Sequence, residues 1–130
     1  MPLRYFIDKQ RRLVTTTALG SVAFAETKAH QDQLVRDPDF NSEFNQLIDA
    51  SGITSLNLSI QEAKNVATQP LFSPASRRAV VATDPFIFGM ARLMEAYHSI
   101  AGLEAQVTVF YDLDSALDWL GLKNDPGPRR

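Results

Sequence analysis

The chain has 130 residues, 45% of them apolar, which suits one globular domain with a single core and is too apolar for a disordered chain. Its 13 Lys and Arg nearly balance its 15 Asp and Glu, so the formal charge of −2 offers no basic face for nucleic acid. The lack of cysteine excludes disulfides, thiolate zinc sites and thiol nucleophiles.

Membrane and export signals are also missing from the sequence. No run reaches the roughly 18 apolar residues that are needed to span a bilayer. The amino-terminal stretch Met1 to Phe6 lacks the apolar core of a signal peptide. We therefore expect a cytoplasmic protein without a transmembrane segment.

An antiparallel hairpin is predicted at the start of the chain. Apolar and polar residues alternate over Leu3 to Asp8, and a β-branched stretch, Leu13 to Leu19, follows a short polar connection. Gly20 would end the second strand. The Ser21 hydroxyl can then cap a helix that runs to about Arg36.

The middle of the chain is less regular. Large apolar residues recur there at spacings of 4, 3 and 1, which suggests a short helix or an ordered loop: Phe40, Phe44, Leu47 and Ile48. Ser51-Gly52 is interpreted as a break before a third strand, Ile53 to Ser59. Ile60 to Thr68 is predicted to be a short helix.

The clearest local pattern is a strand, a corner and a helix in series. The strand Arg78 to Thr83 has an apolar centre, as expected where both faces are covered. Asp84 is a good N-cap, and Pro85 suits the first helical position. The helix is predicted to bury one stripe and to leave Ile87 and Phe88 off it; the stripe comprises Phe86, Met90, Leu93, Met94 and Tyr97.

A second, shorter unit of this kind follows, with strand Val107 to Tyr111 and helix Leu113 to Leu120. Two such units in series imply a parallel sheet. The expected fold class is α/β: a single-domain, mixed, mostly parallel sheet with an amino-terminal antiparallel edge hairpin and flanking helices. Residues 1–121 are expected to form this domain, and residues 122–130 a flexible tail.

Four segments of the chain match the pattern of a known family. They are residues 72–84, Phe-Ser-Pro-Ala-Ser-Arg-Arg-Ala-Val-Val-Ala-Thr-Asp, and residues 88–95, 109–112 and 116–120. Together they resemble the SpoIIAA-like proteins of the STAS and CRAL-TRIO-like superfamily, over roughly Leu3 to Gly121. The resemblance implies a four- or five-stranded sheet flanked by helices, no enzyme activity, and a role in protein interaction or in binding an apolar ligand.

The phosphorylation switch of STAS anti-anti-sigma factors is not carried over. In those proteins a strand ending Leu-Asp-Leu-Ser precedes a phosphorylated Asp-Ser-Ser-Gly at a helix start. Here Leu56-Asn57-Leu58-Ser59 matches the strand loosely, and Ile60 to Val66 contains no Asp-Ser-Ser-Gly. Ser59 is at most a neighbour of that position.

No catalytic or metal signature stands in the sequence. Ser73, Ser76 and His98 lie outside any Gly-x-Ser-x-Gly elbow, so loop serines and a helix-end histidine are the favoured interpretation. His30 is expected to be solvated. We predict no metal and no cofactor.

Two further features leave alternatives open. Gly89, inside a helix, is interpreted as close packing on the sheet, with the approach of a ligand or a partner backbone as the alternative. Arg77, Arg78 and Arg92 could together bind an anion, whereas Arg92 with Glu95 is more simply a surface ion pair.

The leading hypothesis is a non-enzymatic domain of bacterial type that associates with protein, as a homodimer, or binds a small apolar ligand or lipid. The apolar cluster Leu71, Phe72, Ile87 and Phe88 is expected near the carboxyl edge of the sheet, where such sheets place their sites. It would line a pocket or a dimer face, with mere covering of the core as the alternative. The alternative is a small, hydrolase-like enzyme that uses Asp84, Tyr111 or Ser76 at the strand ends. The candidate ligand or interface residues are Ser59, Leu71, Phe72, Ser76, Asp84, Phe86, Ile87, Phe88, Tyr111 and Asp112.

Overall fold

A computed structural model describes residues 2–102 and 106–122 of the chain. Within them the elements are, in chain order, β1 (Leu3–Asp8), β2 (Leu13–Ala23), α1 (Phe24–Arg36), β3 (Asn45–Asn57), α2 (Ile60–Ala67), β4 (Arg77–Val81), α3 (Pro85–Ile100), β5 (Gln106–Phe110) and α4 (Leu113–Trp119). This is the predicted order of strands and helices. The predicted flexible tail lies outside the described residues except for Leu122.

The strands of the described segments form one sheet in the order β1-β2-β3-β4-β5. β1 pairs with β2 antiparallel, and every other neighbouring pair is parallel. The predicted fold class, a mostly parallel sheet with an antiparallel edge hairpin, is therefore confirmed.

The second strand is longer than predicted. It continues past Gly20, which takes a φ of 71° at a register shift in the pairing with β3, and it ends at Ala23. Gly20 therefore bends the strand as a bulge does and does not end it. Ser21 lies within the strand, so its predicted role as a helix cap is wrong. The backbone N–H of Ala23 instead donates to Glu26 Oε1 at 2.7 Å.

The third strand also differs from the prediction. Residues 45–57 form one continuous strand, so the helix suggested through Leu47 and Ile48 is wrong. Residues 41–44 form the loop that was the alternative. Gly52 is not a break. A Cβ there would overlap the Leu19 side chain and lie 3.2 Å from the Ala18 carbonyl oxygen, so this glycine permits close approach of β2.

The long helix α3 starts as predicted but faces the sheet differently. Asp84 caps it, with Oδ2 accepting hydrogen bonds from the backbone N–H groups of Phe86 at 3.0 Å and Ile87 at 3.1 Å. Phe86 is 62% exposed, whereas Ile87 is only 5% exposed, so the predicted stripe is wrong by one residue. The stripe that faces the interior is Ile87, Ala91, Met94 and His98, which has equally good helical spacing.

The interior is divided by the sheet. On one face, α4 packs on a cluster that contains Leu13, Leu47, Ala79, Val81, Ala116 and Leu120. On the opposite face, α1, α2 and α3 pack together against the sheet. Among the described helices, none is both long and apolar enough to cross a membrane.

Candidate functional site

A cavity of about 180 Å³ lies between the sheet and the layer formed by α1, α2 and α3. Period-two alternation brings its floor from the same face of neighbouring strands. The strand side chains that line it are Leu3 of β1, Thr16, Ala18 and Val22 of β2, Gln46, Ile48, Ala50, Ile53 and Leu56 of β3, Arg78 and Val80 of β4, and Val107 of β5. These strand side chains are apolar except for a short polar row that contains Thr16, Gln46 and Arg78.

The polar row is joined by hydrogen bonds across four elements, β4, β3, β2 and α1. Arg78 Nε donates to Gln46 Oε1 at 3.0 Å, and Gln46 Nε2 donates to Thr16 Oγ1 at 3.1 Å. Thr16 Oγ1 lies 3.3 Å from His30 Nε2. Thr16 accepts from Gln46 through one lone pair, and its hydroxyl can either donate to His30 Nε2 or accept from it, so the row continues to α1 with either imidazole tautomer.

Arg78 is the charged member of this row. Although the residue keeps some exposure, its guanidinium is deep enough that burial lowers its pKa to about 10. Its Cζ lies 4.6 Å from the centroid of the Phe72 ring, a cation–π contact. Within residues 2–102 and 106–122 no carboxylate forms an ion pair with it.

His30 lies beside the row on α1. Burial, and secondly the positive charge of Arg78, lowers the pKa of its imidazole. Its ring meets that of Tyr5 edge to face, with centroids 5.5 Å apart. The prediction that His30 is solvated is wrong, because helix α1 turns this side chain into the cavity.

Two more polar side chains reach the cavity from the helices. Gln31 is 7% exposed, and its Nε2 donates to the Val66 carbonyl oxygen at 3.2 Å. Its Oε1 is buried and has no hydrogen-bond partner in the described part of the chain. His98 is 6% exposed, and its Nδ1 lies 3.1 Å from the Ala67 carbonyl oxygen, so Nδ1 carries the proton.

Three of the predicted candidates belong to this cavity. Ile87 and Leu71 line it, and Phe72, 9% exposed, supports the Arg78 guanidinium. The expectation that Leu71 and Phe72 lie at the carboxyl edge is wrong. They precede β4, so they lie on the side where the parallel strands begin.

Ser76 lies at that same amino-terminal edge and is fully buried. Its Oγ donates to the Ser42 carbonyl oxygen at 2.9 Å and ties the loop before β4 to the loop before β3. Its position is therefore far along the strand from Asp84, which follows the carboxyl end of β4.

Three candidates at the carboxyl edge are helix caps. Ser59 Oγ accepts from the Glu62 backbone N–H at 3.0 Å, Asp84 caps α3, and Asp112 Oδ1 accepts from the Ser115 backbone N–H at 2.8 Å. Such caps satisfy N–H groups that the first helical turn leaves open.

The remaining candidates are three aromatic residues that follow the carboxyl ends of β4 and β5. Phe88 and Tyr111 stack with centroids 3.8 Å apart and rings within 2° of parallel. Phe86 and Tyr111 are 62% and 59% exposed. We call Phe86, Phe88 and Tyr111 the aromatic surface below.

Sequence reasoning missed Thr16, Gln46 and Gln31 as cavity residues. The available signal was a polar side chain at an alternating position of an otherwise apolar strand, as Gln46 is between Phe44 and Ile48. That signal was hidden because this segment has apolar residues at helical spacing.

Gly89, interpreted as close packing, instead has open space: a Cβ there would meet no described heavy atom within 4 Å.

Comparison with known proteins identifies the fold. No protein-family model matches the sequence, and no curated protein matches it significantly. A crystal structure of an uncharacterised protein of the DUF3478 family from Shewanella loihica PV-4, with a SpoIIAA-like fold, superposes with a TM-score of 0.59 at 16% identity. The match covers 91% of this chain and 93% of that one. The chain therefore has a SpoIIAA-like α/β fold, as its sequence motifs indicated.

Proposed function

We propose that this protein is a non-enzymatic binding protein whose cavity between the sheet and α1–α3 holds a small, largely apolar molecule. The observation that carries the proposal is the cavity itself, which is walled mainly by aliphatic side chains. Concave, mostly apolar sites with a few convergent polar groups are the usual form of ligand pockets.

The size of the cavity limits the ligand. An apolar cavity of about 150 Å³ in an unrelated protein holds benzene. A cavity of about 180 Å³ therefore suits one ring or a short aliphatic chain. A long-chain lipid would need the helices to separate from the sheet, so the ligand we propose is small.

The polar residues that an enzyme would use as catalytic groups all have structural roles, which supports binding without catalysis. Asp84 accepts two backbone hydrogen bonds at the start of α3, and the Ser76 hydroxyl is engaged by Ser42. Tyr111 stacks on Phe88 at the surface. Each group thus has a structural role, and Ser76 lies at the opposite edge from the other two.

The proposal is tested by protein-observed NMR titration with hexan-1-ol, an uncharged probe of suitable size. The variant Ala91→Leu fills the cavity from α3, and Ala96→Leu, exposed on the same helix, is its matched control. We expect shifts of the cavity-lining residues in the wild type and in Ala96→Leu, and their loss in Ala91→Leu. Shifts outside the cavity, or equal binding by Ala91→Leu, would overturn the proposal.

A second proposal is a homodimer formed through the aromatic surface. It is favoured by the exposure of Phe86 and Tyr111, since large apolar groups at a protein surface often mark an interface. Sedimentation of the wild type and of Phe86→Ser tests it. A dimer that Phe86→Ser dissociates supports the proposal, and a monomeric wild type removes it.

A further inference from the structure

We propose that the ligand of the cavity is a small monocarboxylate, whose anionic group binds the Arg78 guanidinium while its apolar part lies among the aliphatic side chains. The inference rests on the proposed function and adds the chemical class of the ligand. It comes from the one cation among the side chains of the polar row.

The charge of the cavity favours an anion, since Arg78 is a partly buried cation whose Nη1 and Nη2 groups keep contact with solvent and can receive a ligand. A buried cation is expensive unless an opposite charge or a full set of hydrogen bonds compensates it. The Arg78 guanidinium has neither within the described residues: its one hydrogen bond runs from Nε to Gln46. The Phe72 ring adds a cation–π contact but accepts no N–H bond in the guanidinium plane.

The guanidinium is also held in a defined orientation. The hydrogen bond to Gln46 and the stacking on Phe72 engage its edge and its face. The donors of Nη1 and Nη2 have no acceptor among the described residues. A planar fork of two N–H donors matches the two oxygens of a carboxylate, and charge-assisted pairs of this kind are the strong ones.

The surrounding charges favour a monoanion over a dianion such as phosphate. Glu95 also lines the cavity; Arg92 pairs with it at 3.1 Å, and the remaining negative charge repels a dianion more strongly than a monoanion. One cation therefore matches one negative charge. Because Arg78 lies beside aliphatic side chains, the ligand should also carry an apolar group.

A second polar group, on a residue that lines the cavity, also lacks a partner within the described chain. Gln31 Oε1 is buried and unpartnered in the described chain, and it is identified as the oxygen because Nε2 must face the Val66 carbonyl. A carboxylate cannot donate to it.

Calorimetric titration with three probes of equal chain length tests the charge preference: hexanoate, hexan-1-ol and hexylamine. For the wild type we expect hexanoate to bind at least about tenfold more tightly than hexan-1-ol, and hexylamine to bind most weakly. Arg78→Met keeps an unbranched apolar stem but removes the guanidinium and its charge, and it should abolish the preference for hexanoate.

The matched control is Arg77→Met, the neighbouring residue on β4, whose side chain points to the other face of the sheet, where Nη1 bonds the Trp119 carbonyl. It should retain the wild-type preference. Arg78→Lys keeps the charge but loses the fork, so hexanoate should bind with intermediate affinity. Thermal unfolding of each variant verifies that it is folded.

The outcomes separate the two proposals. Equal affinity of the wild type for hexanoate and hexan-1-ol, or a preference that survives in Arg78→Met, overturns the carboxylate inference and leaves the binding of apolar ligands intact. Failure of all three probes to bind the wild type overturns both. If Arg78→Met does not fold, the wild-type probe series and Arg78→Lys still decide.

Discussion

Gln46 and Arg78 lie opposite each other in register on β3 and β4, and the Arg78 Nε–H donates to Gln46 Oε1 at 3.0 Å. This cross-strand pair places a cation on the floor of an otherwise apolar cavity. Gln46 is 3% exposed and also donates to Thr16, so the pair is part of a buried row that extends from β4 to α1.

The first prediction concerns Gln46. Gln46→Leu removes the only acceptor that the described chain offers to Arg78 Nε, so we expect a loss of about 1–3 kcal/mol in the free energy of unfolding. Gln33→Leu, exposed on α1, is the matched control and should change stability by less than about 0.5 kcal/mol. Urea unfolding measures both; equal effects would mean that the buried hydrogen bonds of Gln46 do not contribute.

The second prediction concerns the pH dependence of stability. Burial and the charge of Arg78 lower the pKa of His30 below its ordinary value of 6.5. As the pH falls through 6.5, the unfolded chain therefore takes up a proton before the folded chain does. The stability that neutral His30 contributes is complete above pH 6.5 and declines as the pH falls toward the folded pKa.

The direction of this pH dependence is measured by comparing the free energy of urea unfolding of the wild type and of His30→Leu between pH 7.5 and 5. The wild type should lose more stability over that interval than the variant, whatever their difference at pH 7.5. If the stability of the two proteins changed equally with pH, His30 would have the same pKa in the folded and unfolded chains. That result would contradict the burial of its ring beside Thr16 and Tyr5.

The third prediction joins His30 to ligand binding. Because the positive charge of Arg78 is one cause of the lowered His30 pKa, a carboxylate bound at Arg78 should raise that pKa. NMR titration of the imidazole with saturating hexanoate, compared with hexan-1-ol, measures the shift. A His30 pKa that is unchanged by hexanoate would place the anion away from Arg78.

The fourth prediction contrasts two glycines. Gly52→Ala should destabilise the protein by about 1–3 kcal/mol, because its Cβ would overlap Leu19 and crowd the Ala18 carbonyl. Gly89→Ala should stabilise it by about 1 kcal/mol, since α3 is open there and alanine is the better helix former. Thermal unfolding of the two variants measures both signs; destabilisation by Gly89→Ala would restore the packing role first inferred for Gly89.

The order of elements could be predicted because its signals are local. Asp84-Pro85 marks the start of α3 and Ser59 caps α2 through bonds within one turn. The parallel sheet follows from strands that alternate with helices. The SpoIIAA-like resemblance rested on segments that the structure places in β4, α3, β5 and α4.

The errors came from choices that tertiary contacts decide. Apolar residues from Phe40 to Ile48 fit a helix as well as a loop and a strand, and only pairing with β2 and β4 selects the strand. Two neighbouring stripes of α3 have equal helical spacing, and contact with the sheet selects the one that contains Ile87.

The cavity was beyond local reasoning for the same reason. Arg78 was noted as a possible anion ligand, but its partner Gln46 lies 32 residues earlier in the chain. Only the register of β3 with β4 brings the two together, and only the packing of α1–α3 buries them. The hydrophobic periodicity of a single strand or helix does not show which residues of other elements it will contact.

Crystals pressurised with xenon test the central claim, that this protein has a ligand cavity between its sheet and α1–α3, most directly. Xenon enters apolar cavities without needing a charged group, so the result does not depend on the carboxylate inference. The account predicts an anomalous peak bordered by Leu34, Val66 and Ile87 in the wild type, and its loss in Ala91→Leu. A wild-type crystal with no xenon in this space would contradict it.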